Sequence, residues 1–447
     1  MKELSIKEIV SAINGKITNE KCISINKVFT DSRKICEEDI KNINSIFFAL
    51  KGENYEGHNF VYEALNNGSQ IAVVEYTPED IKDDKKLIYV DNTLIALGKL
   101  AKYYKEQFEL PVIGITGSVG KTLTKEFVAN VLSQKYIAHK TKGNLNTLVG
   151  LPLTVFEMND SHEISVLELG TSEFGEMKRL TQICIPDIAI ITSIGESHLE
   201  FLRDLKGVFK EKFDIFKYSS KNCLKIFNGD IKFLKKYTDC KHYISYGLGK
   251  NDFELSSILL EKEKYSFKLN KEKYYIYNNV KHNIFNAIPA IIIGKEFGLT
   301  HKEIQDGLSK KLEVNLRMEI LHNKINDWLV IADCYNANPV SMRAALNYLD
   351  KTTKRYKYAI LGDMLELGNK SVDLHKGIGN FLKNIKLDKV ISIGELSKNF
   401  NGSNHYYSTN EFIYNGIKNI SFPRQSAILV KGSRALEMEK IVERLID

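Results

Sequence analysis

Apolar residues in roughly the first 80 positions come in short runs broken by polar residues and glycine. Val28-Phe29-Thr30 leads into Asp31-Ser32-Arg33, and Ser45-Ile46-Phe47-Phe48-Ala49-Leu50 leads into Lys51-Gly52-Glu53. A helical spacing follows over Phe60 to Asn66, then a strand-like run over Gln70 to Glu75. These predict a small α/β unit. A longer helical pattern, Leu94 to Gln107, connects it to the next part of the chain.

From Val112 the pattern becomes strand, loop, helix. Leu123, Phe127, Val128, Val131 and Leu132 make one broad apolar face on that helix. Further strands are predicted at Ile164–Leu169, Asp187–Ser193 and Cys223–Asn228, each short, apolar or β-branched, and followed by polar residues or glycine. That texture belongs to a mainly parallel sheet. Residues 251–280 alternate differently and read as small antiparallel strands.

A third unit is expected to begin near Asn315. Strands at Trp328–Asp333, Tyr356–Leu361, Lys389–Ser392 and Ala427–Val430 alternate with helices near 341–350, 371–384 and 434–446. The fold class is α/β, with expected units at 1–84, 85–313 and 314–447. The last has Rossmann-like texture but no dinucleotide-type glycine fingerprint, so no nicotinamide cofactor is assigned to it.

Composition narrows the choice. At 447 residues and 43% apolar, the chain can bury more than one core. The net charge of +7 is spread over mixed lysines and acids, which reads as a solvated surface and not a nucleic-acid footprint. The six cysteines, at 22, 36, 184, 223, 240 and 334, show no metal-ligand spacing. They point to reduced thiols and a cytoplasmic setting. The N-terminus has no signal-peptide core, and no apolar run reaches the ~18 residues of a membrane span.

Gly114-Ile115-Thr116-Gly117-Ser118-Val119-Gly120-Lys121-Thr122 follows an apolar strand and opens a helix. Glycines there allow a tight turn whose N–H groups face phosphate oxygens. Lys121 adds a mobile positive charge, and Thr122 offers a hydroxyl to magnesium. Ile115 stands where the usual pattern has its first glycine.

Other residues are weaker on local grounds. Glu168 ends a strand, where a carboxylate can hold magnesium or simply face water; Glu173 and Glu176 follow it in a loop. His198 sits after another strand; it suits a metal or a phosphate, but a lone histidine in a loop is more often structural or solvated. Lys210 and Lys212 lie on a helix that reads like any solvated surface. Asp333-Cys334-Tyr335-Asn336-Ala337-Asn338-Pro339 is either a ribose- or base-binding loop or a helix cap. Lys431-Gly432-Ser433-Arg434 opens the final helical pattern, where an anion can bind.

Together these motifs resemble the Mur ligases over almost the whole chain. Beyond the phosphate loop the family likeness is carried by Gly143-Asn144-Leu145-Asn146, Leu167-Glu168-Leu169-Gly170 and His198-Leu199-Glu200. Tyr335-Asn336-Ala337-Asn338-Pro339, Leu361-Gly362-Asp363-Met364-Leu365-Glu366-Leu367-Gly368 and Val430-Lys431-Gly432-Ser433-Arg434 favour one member over its siblings. Thr30-Asp31-Ser32-Arg33 and Gly52 with Gly57-His58 are similar to the family's uridine-nucleotide module. Leu123, Thr147 and Asp214 depart mildly from it.

The resemblance implies an ATP- and Mg²⁺-dependent amide ligase of peptidoglycan precursor synthesis. It would join D-alanyl-D-alanine to UDP-N-acetylmuramoyl-tripeptide through an acyl phosphate. A monomer is expected. The resemblance puts ATP contacts on Gly117, Ser118, Val119, Gly120, Lys121, Thr122, His282, Asn283, Asn286, Arg317, Asp333 and Asn336. UDP-substrate contacts fall on Asp31, Ser32, Arg33, Gly52, Asn144 and Asn146. Thr122, Glu168, His198 and Lys212, the last as a carbamate, would hold metal, and Lys121, Glu168, His198 and Lys212 would serve catalysis. A sibling ligase adding one amino acid, or a nucleotide switch without ligation, is the competing reading.

Overall fold

The computed structural model describes residues 1–18, 23–35, 44–52, 55–82, 84–261, 264–277, 280–312, 314, 316–400, 402 and 404–446. Cys22, Cys36, Glu53 and Asn315 lie outside the described residues. No helix among those described is long and apolar enough to cross a membrane.

The first large sheet has the order Lys16–Ile17, Leu87–Tyr89, Ile71–Val74, Ser45–Phe48, Lys27–Phe29. Its last four strands run parallel. Leu87–Tyr89 carries this sheet past the boundary expected at residue 84. The helix Thr93–Lys105 follows, capped by Asn92, whose side chain accepts the N–H of Ile95.

The central sheet has nine strands. From one edge they are Glu272–Ile276, Lys264–Leu269, Phe253–Glu261, Tyr243–Leu248, Leu224–Asn228, Ile188–Ile191, Val112–Thr116, Ile164–Glu168 and Ala138–Lys140. The sheet is parallel from Ala138–Lys140 to Phe253–Glu261, and the last two strands are antiparallel. Successive residues face opposite sides, as the period of two requires. Ile113, Ile115, Val166 and Ile190 pack under the helices Lys121–Leu132 and Asn283–Glu296, while Val112, Leu167, Ala189 and Ile191 pack into the other core. The buried Ile115 accounts for the missing loop glycine: that position is strand interior, and the turn begins only after it.

After Val112–Thr116 the chain builds first toward Ala138–Lys140, then returns and builds the other way from Ile188–Ile191. The strand order therefore reverses beside Val112–Thr116. A crevice opens at the carboxyl end of such a switch point.

The third sheet has the order Glu319–Asn323, Trp328–Asp333, Ser426–Lys431, Tyr356–Gly362, Lys389–Ile393, Asn404–Tyr406, parallel except for its first strand. Ser426–Lys431 lies between Trp328–Asp333 and Tyr356–Gly362. A second switch point thus sets the ends of Asp333 and Lys431 side by side. The final helical pattern is broken. A short 3₁₀ turn covers Arg434–Leu436, Glu437 has φ 49°, and the α-helix starts only at Glu439.

Candidate active site

The phosphate loop connects Val112–Thr116 to the helix Lys121–Leu132. Gly120 has φ 90°, and a Cβ there would meet Asn286 Oδ1 at 2.3 Å. Both facts require glycine. Ser118 N–H donates to Ser193 O at 3.0 Å, and Val119 N–H donates to Ser193 Oγ at 2.8 Å. Those two amides hold the loop to its neighbour. Helix geometry leaves the N–H groups of Lys121, Thr122 and Leu123 without intrahelical acceptors, so the anion-facing amides lie at the helix start.

Lys121 Nζ donates to Gly117 O at 2.8 Å. Burial pushes its ammonium pKa down, Glu168 works against that, and Arg317 adds to it. A phosphate would supply the negative charge this lysine lacks.

One cavity gathers Ser118, Val119, Gly120, Lys121, Thr122, Asn146, Glu168, His198, His282, Asn283, Asn286, Arg317, Asp333 and Asn336. The central unit supplies most of them, and the third unit supplies Arg317, Asp333 and Asn336. Gly117 is not on its wall but shapes the turn, with φ 152°. Asp31, Ser32, Arg33, Gly52 and Asn144 are not on the wall either. Arg33 forks onto Asp31 through Nε and Nη2 at 2.9 and 2.8 Å. Gly52 faces Tyr55, whose ring lies 2.8 Å from where a Cβ would sit. Asn146, expected with the UDP group, donates from Nδ2 to Glu168 Oε1 at 2.7 Å.

Glu168 is buried, not a strand-end carboxylate in water. Its Oε2 has no hydrogen-bond partner, and neither has the buried Oγ1 of Thr122 on the same cavity wall. Two orphaned oxygens of this kind suit a hard cation. Among the described residues no three His, Cys, Asp or Glu side chains form a metal cluster. A magnesium ion here would take its other oxygens from phosphate and water.

Lys212 is buried, whereas Lys210 is exposed with its ammonium 5.9 Å from the Phe174 ring centroid. Lys212 does not line the cavity. Burial pushes its pKa down to about 7, Lys121 adds to the effect, and Glu211 and Glu176 oppose it. Lys121 and Glu176 do line the cavity. Glu211 accepts the N–H groups of Gly175 and Met177 at 2.7 and 2.6 Å, which fixes the turn carrying Glu176.

The third unit adds residues to which sequence reasoning gave no role or another role. Lys431 lies 2.6 Å from Asp333 Oδ2, so its charge is paired and not offered to an anion. Arg434 pairs with Glu439 at 2.8 Å and is off the cavity wall. The Arg317 guanidinium stacks over Tyr335 at 3.8 Å. Glu366 Oε2 lies 2.6 Å from His198 Nδ1, and the histidine holds the Glu366 carboxyl below its usual range. The sequence signal for Glu366 was its place in the string Leu361–Gly368 that follows a parallel strand, and no role was attached to it.

The Mur ligase middle domain matches residues 115–294, and the Mur ligase glutamate ligase domain matches 316–434. The chain is 35% identical to the UDP-N-acetylmuramoyl-tripeptide–D-alanyl-D-alanine ligase of Bacillus subtilis, over 99% of this chain and 98% of that protein. The chain belongs to the Mur ligase family. The corresponding Escherichia coli enzyme is 30% identical over 100% of this Mur ligase and 99% of its own length. Among solved structures, MurF from Acinetobacter baumannii superposes with a TM-score of 0.89 at 29% identity, covering 100% of this chain and 99% of that one. MurF from Thermotoga maritima, solved in complex with ADP, gives 0.81 at 26% identity, covering 93% and 96%. This Mur ligase thus shares a three-unit α/β architecture with them.

Proposed function

We propose that this Mur ligase uses ATP to join D-alanyl-D-alanine to UDP-N-acetylmuramoyl-tripeptide. The carrying observation is the shared cavity, where a phosphate-binding helix start from one parallel sheet faces Asp333 and Asn336 from another. The relatives' activity supports the same reading.

The physical problem is charge. A carboxylate must approach a triphosphate that repels it. Lys121 and the helix start at Thr122 offset that repulsion where charge builds up. A magnesium ion held by Thr122 and Glu168 would further polarise the phosphate oxygens. The peptide's terminal carboxylate oxygen attacks the γ-phosphorus, and the bond to the bridging oxygen breaks, releasing ADP. The dipeptide amine then attacks the acyl phosphate carbonyl. The amide bond forms, the C–O bond to phosphate breaks, and phosphate departs with that electron pair as the nitrogen loses its proton. Arg317, Asp333 and Asn336, on the third unit, close the nucleotide side and limit water access.

Lys212 is proposed to work as a carbamate. A buried amine with a pKa near 7 is in large part neutral at physiological pH, and the neutral amine is the form that reacts with carbon dioxide. The product is an anion, which would relieve the like charge of Lys121.

Mass analysis of products after incubation with ATP, Mg²⁺, the UDP-linked tripeptide and D-alanyl-D-alanine tests the reading. The expected result is the UDP-linked pentapeptide with one ADP per amide. Amide formation with single amino acids in place of the dipeptide would assign it to a sibling ligase. ATP use without any amide would reject ligation altogether.

A further inference from the structure

The attacking amine arrives at neutral pH as an ammonium group. Its subsite needs a negative charge that the nucleotide machinery has not already taken. Four carboxylates line the cavity: Glu168, Glu176, Asp333 and Glu366. Glu168 is buried and accepts a hydrogen bond from Asn146, and its free oxygen is the one assigned above to a cation. Glu176 Oε2 accepts the N–H groups of Ser172 and Glu173 at 2.7 and 3.0 Å. Asp333 is paired with Lys431. Glu366 alone keeps a side chain 49% exposed, and its one contact among the described residues is a nitrogen of His198.

Its backbone is held in an unfavourable state. Glu366 has φ 62°, a conformation that glutamate rarely adopts. Met364 N–H donates to the buried His375 at 3.0 Å, and Leu365 N–H donates to Ser433 Oγ at 2.9 Å. From the central unit, Glu200 N–H donates to Glu366 O at 3.2 Å. Bonds from two units therefore over-determine one strained residue, the pattern found where the aim of a side chain matters.

We propose that Glu366 receives the ammonium group of the incoming dipeptide and holds its nitrogen toward the acyl phosphate. This rests on the ligase reading above. The role is electrostatic: the carboxylate binds a cation and orients it, and the His198 contact shows that a nitrogen can reach this oxygen. The Glu200 bond to the Glu366 carbonyl also ties amine capture to contact between the two units.

The test is steady-state kinetics of the full-length enzyme and Glu366→Gln, varying each substrate in turn. Propionyl-D-alanine, which lacks the amine, serves as a competitive probe. Loss of one charge-assisted contact should raise KM for D-alanyl-D-alanine about tenfold or more, with KM for ATP and for the UDP-linked tripeptide within about twofold. The wild type should bind the probe far more weakly than the dipeptide, and the variant should nearly lose that preference. A raised ATP KM with an unchanged dipeptide KM, a loss confined to kcat, or an unchanged preference over the probe would each overturn the assignment. Failure of the wild type to form any amide from the dipeptide is a separate result and would reject the ligase reading instead.

Discussion

Asp333 and Lys431 are partners in register on adjacent parallel strands, and their side chains meet with Oδ2 2.6 Å from Nζ. Lys431 is 1% exposed there and also donates to Asn336 O at 2.9 Å. A buried pair of this kind adds little net stability, because desolvation offsets its attraction, but removing one partner leaves the other charge buried and uncompensated. Lys431→Met should lower the unfolding free energy by about 3–5 kcal/mol in urea titrations. The double variant Lys431→Met with Asp333→Asn should lose clearly less than the two single losses added together. Strict additivity would show that the two groups are not coupled.

Thr122 Oγ1 and Glu168 Oε2 are buried oxygens of the cavity wall without a hydrogen-bond partner, as is Thr171 Oγ1. Removing divalent ions with a chelator should stop ATP-dependent phosphate release, and Mg²⁺ should restore it. Thr122→Val should raise the Mg²⁺ concentration needed for half-maximal rate by about tenfold, corresponding to one lost ligand. An unchanged Mg²⁺ titration would place the ion elsewhere.

Lys121 is the cation closest in chain to the phosphate-binding helix start. Lys121→Ala and Glu168→Ala should each cut the rate by about 10²-fold or more, because charge stabilisation in transfer is lost. Rapid-quench detection of ADP would show whether the first chemical step is the one that fails. A burst of ADP as large as that of the wild type would refute this.

Lys212→Ala should lose activity by a similar order, about 10²-fold. Formate or acetate should restore part of it, since either can supply an anion where the carbamate would sit. No loss in the variant, or loss without any rescue by short acids, would count against the carbamate.

His139 supplies a pH signature away from the cavity. Its Nδ1 lies 2.9 Å from Ser165 Oγ, and burial pushes its pKa from 6.5 to about 4, with His162 adding to the shift and Glu157 opposing it. The folded state keeps the ring neutral, whereas the unfolded chain takes a proton near pH 6.5. Stability is therefore unaffected above that value and falls as pH drops from about 6.5 toward 4, by roughly 3 kcal/mol at most. His139→Gln should flatten that part of the curve of unfolding free energy against pH. Identical slopes in both proteins would assign the acid sensitivity to other groups.

Strand and helix reading succeeded where the pattern was long and local. Val112–Thr116, the phosphate loop and the following helix form one continuous stretch, so spacing and glycine placement suffice. Ala138–Lys140 escaped notice because three residues of mixed polarity show no period. Tyr243–Leu248 and Asn404–Tyr406 escaped for a similar reason: each adds to a sheet whose register other strands already set. The helix expected from 434 begins later because Glu437 takes a left-handed conformation, which no propensity announces.

The linear chain determined what depends on neighbours in sequence: alternating strands, an amphipathic helix behind a glycine turn, and an anion site at its start. Local pattern alone, without the family resemblance, could not tell Lys212 from Lys210, and it could not pair Asp333 with Lys431 or set His198 against Glu366. Those choices follow from burial, strand order and the meeting of two units, which join residues far apart along the chain, 98 positions for Asp333 and Lys431. Electrostatic character in a protein belongs to surroundings in space, so it comes into being only when the chain has folded.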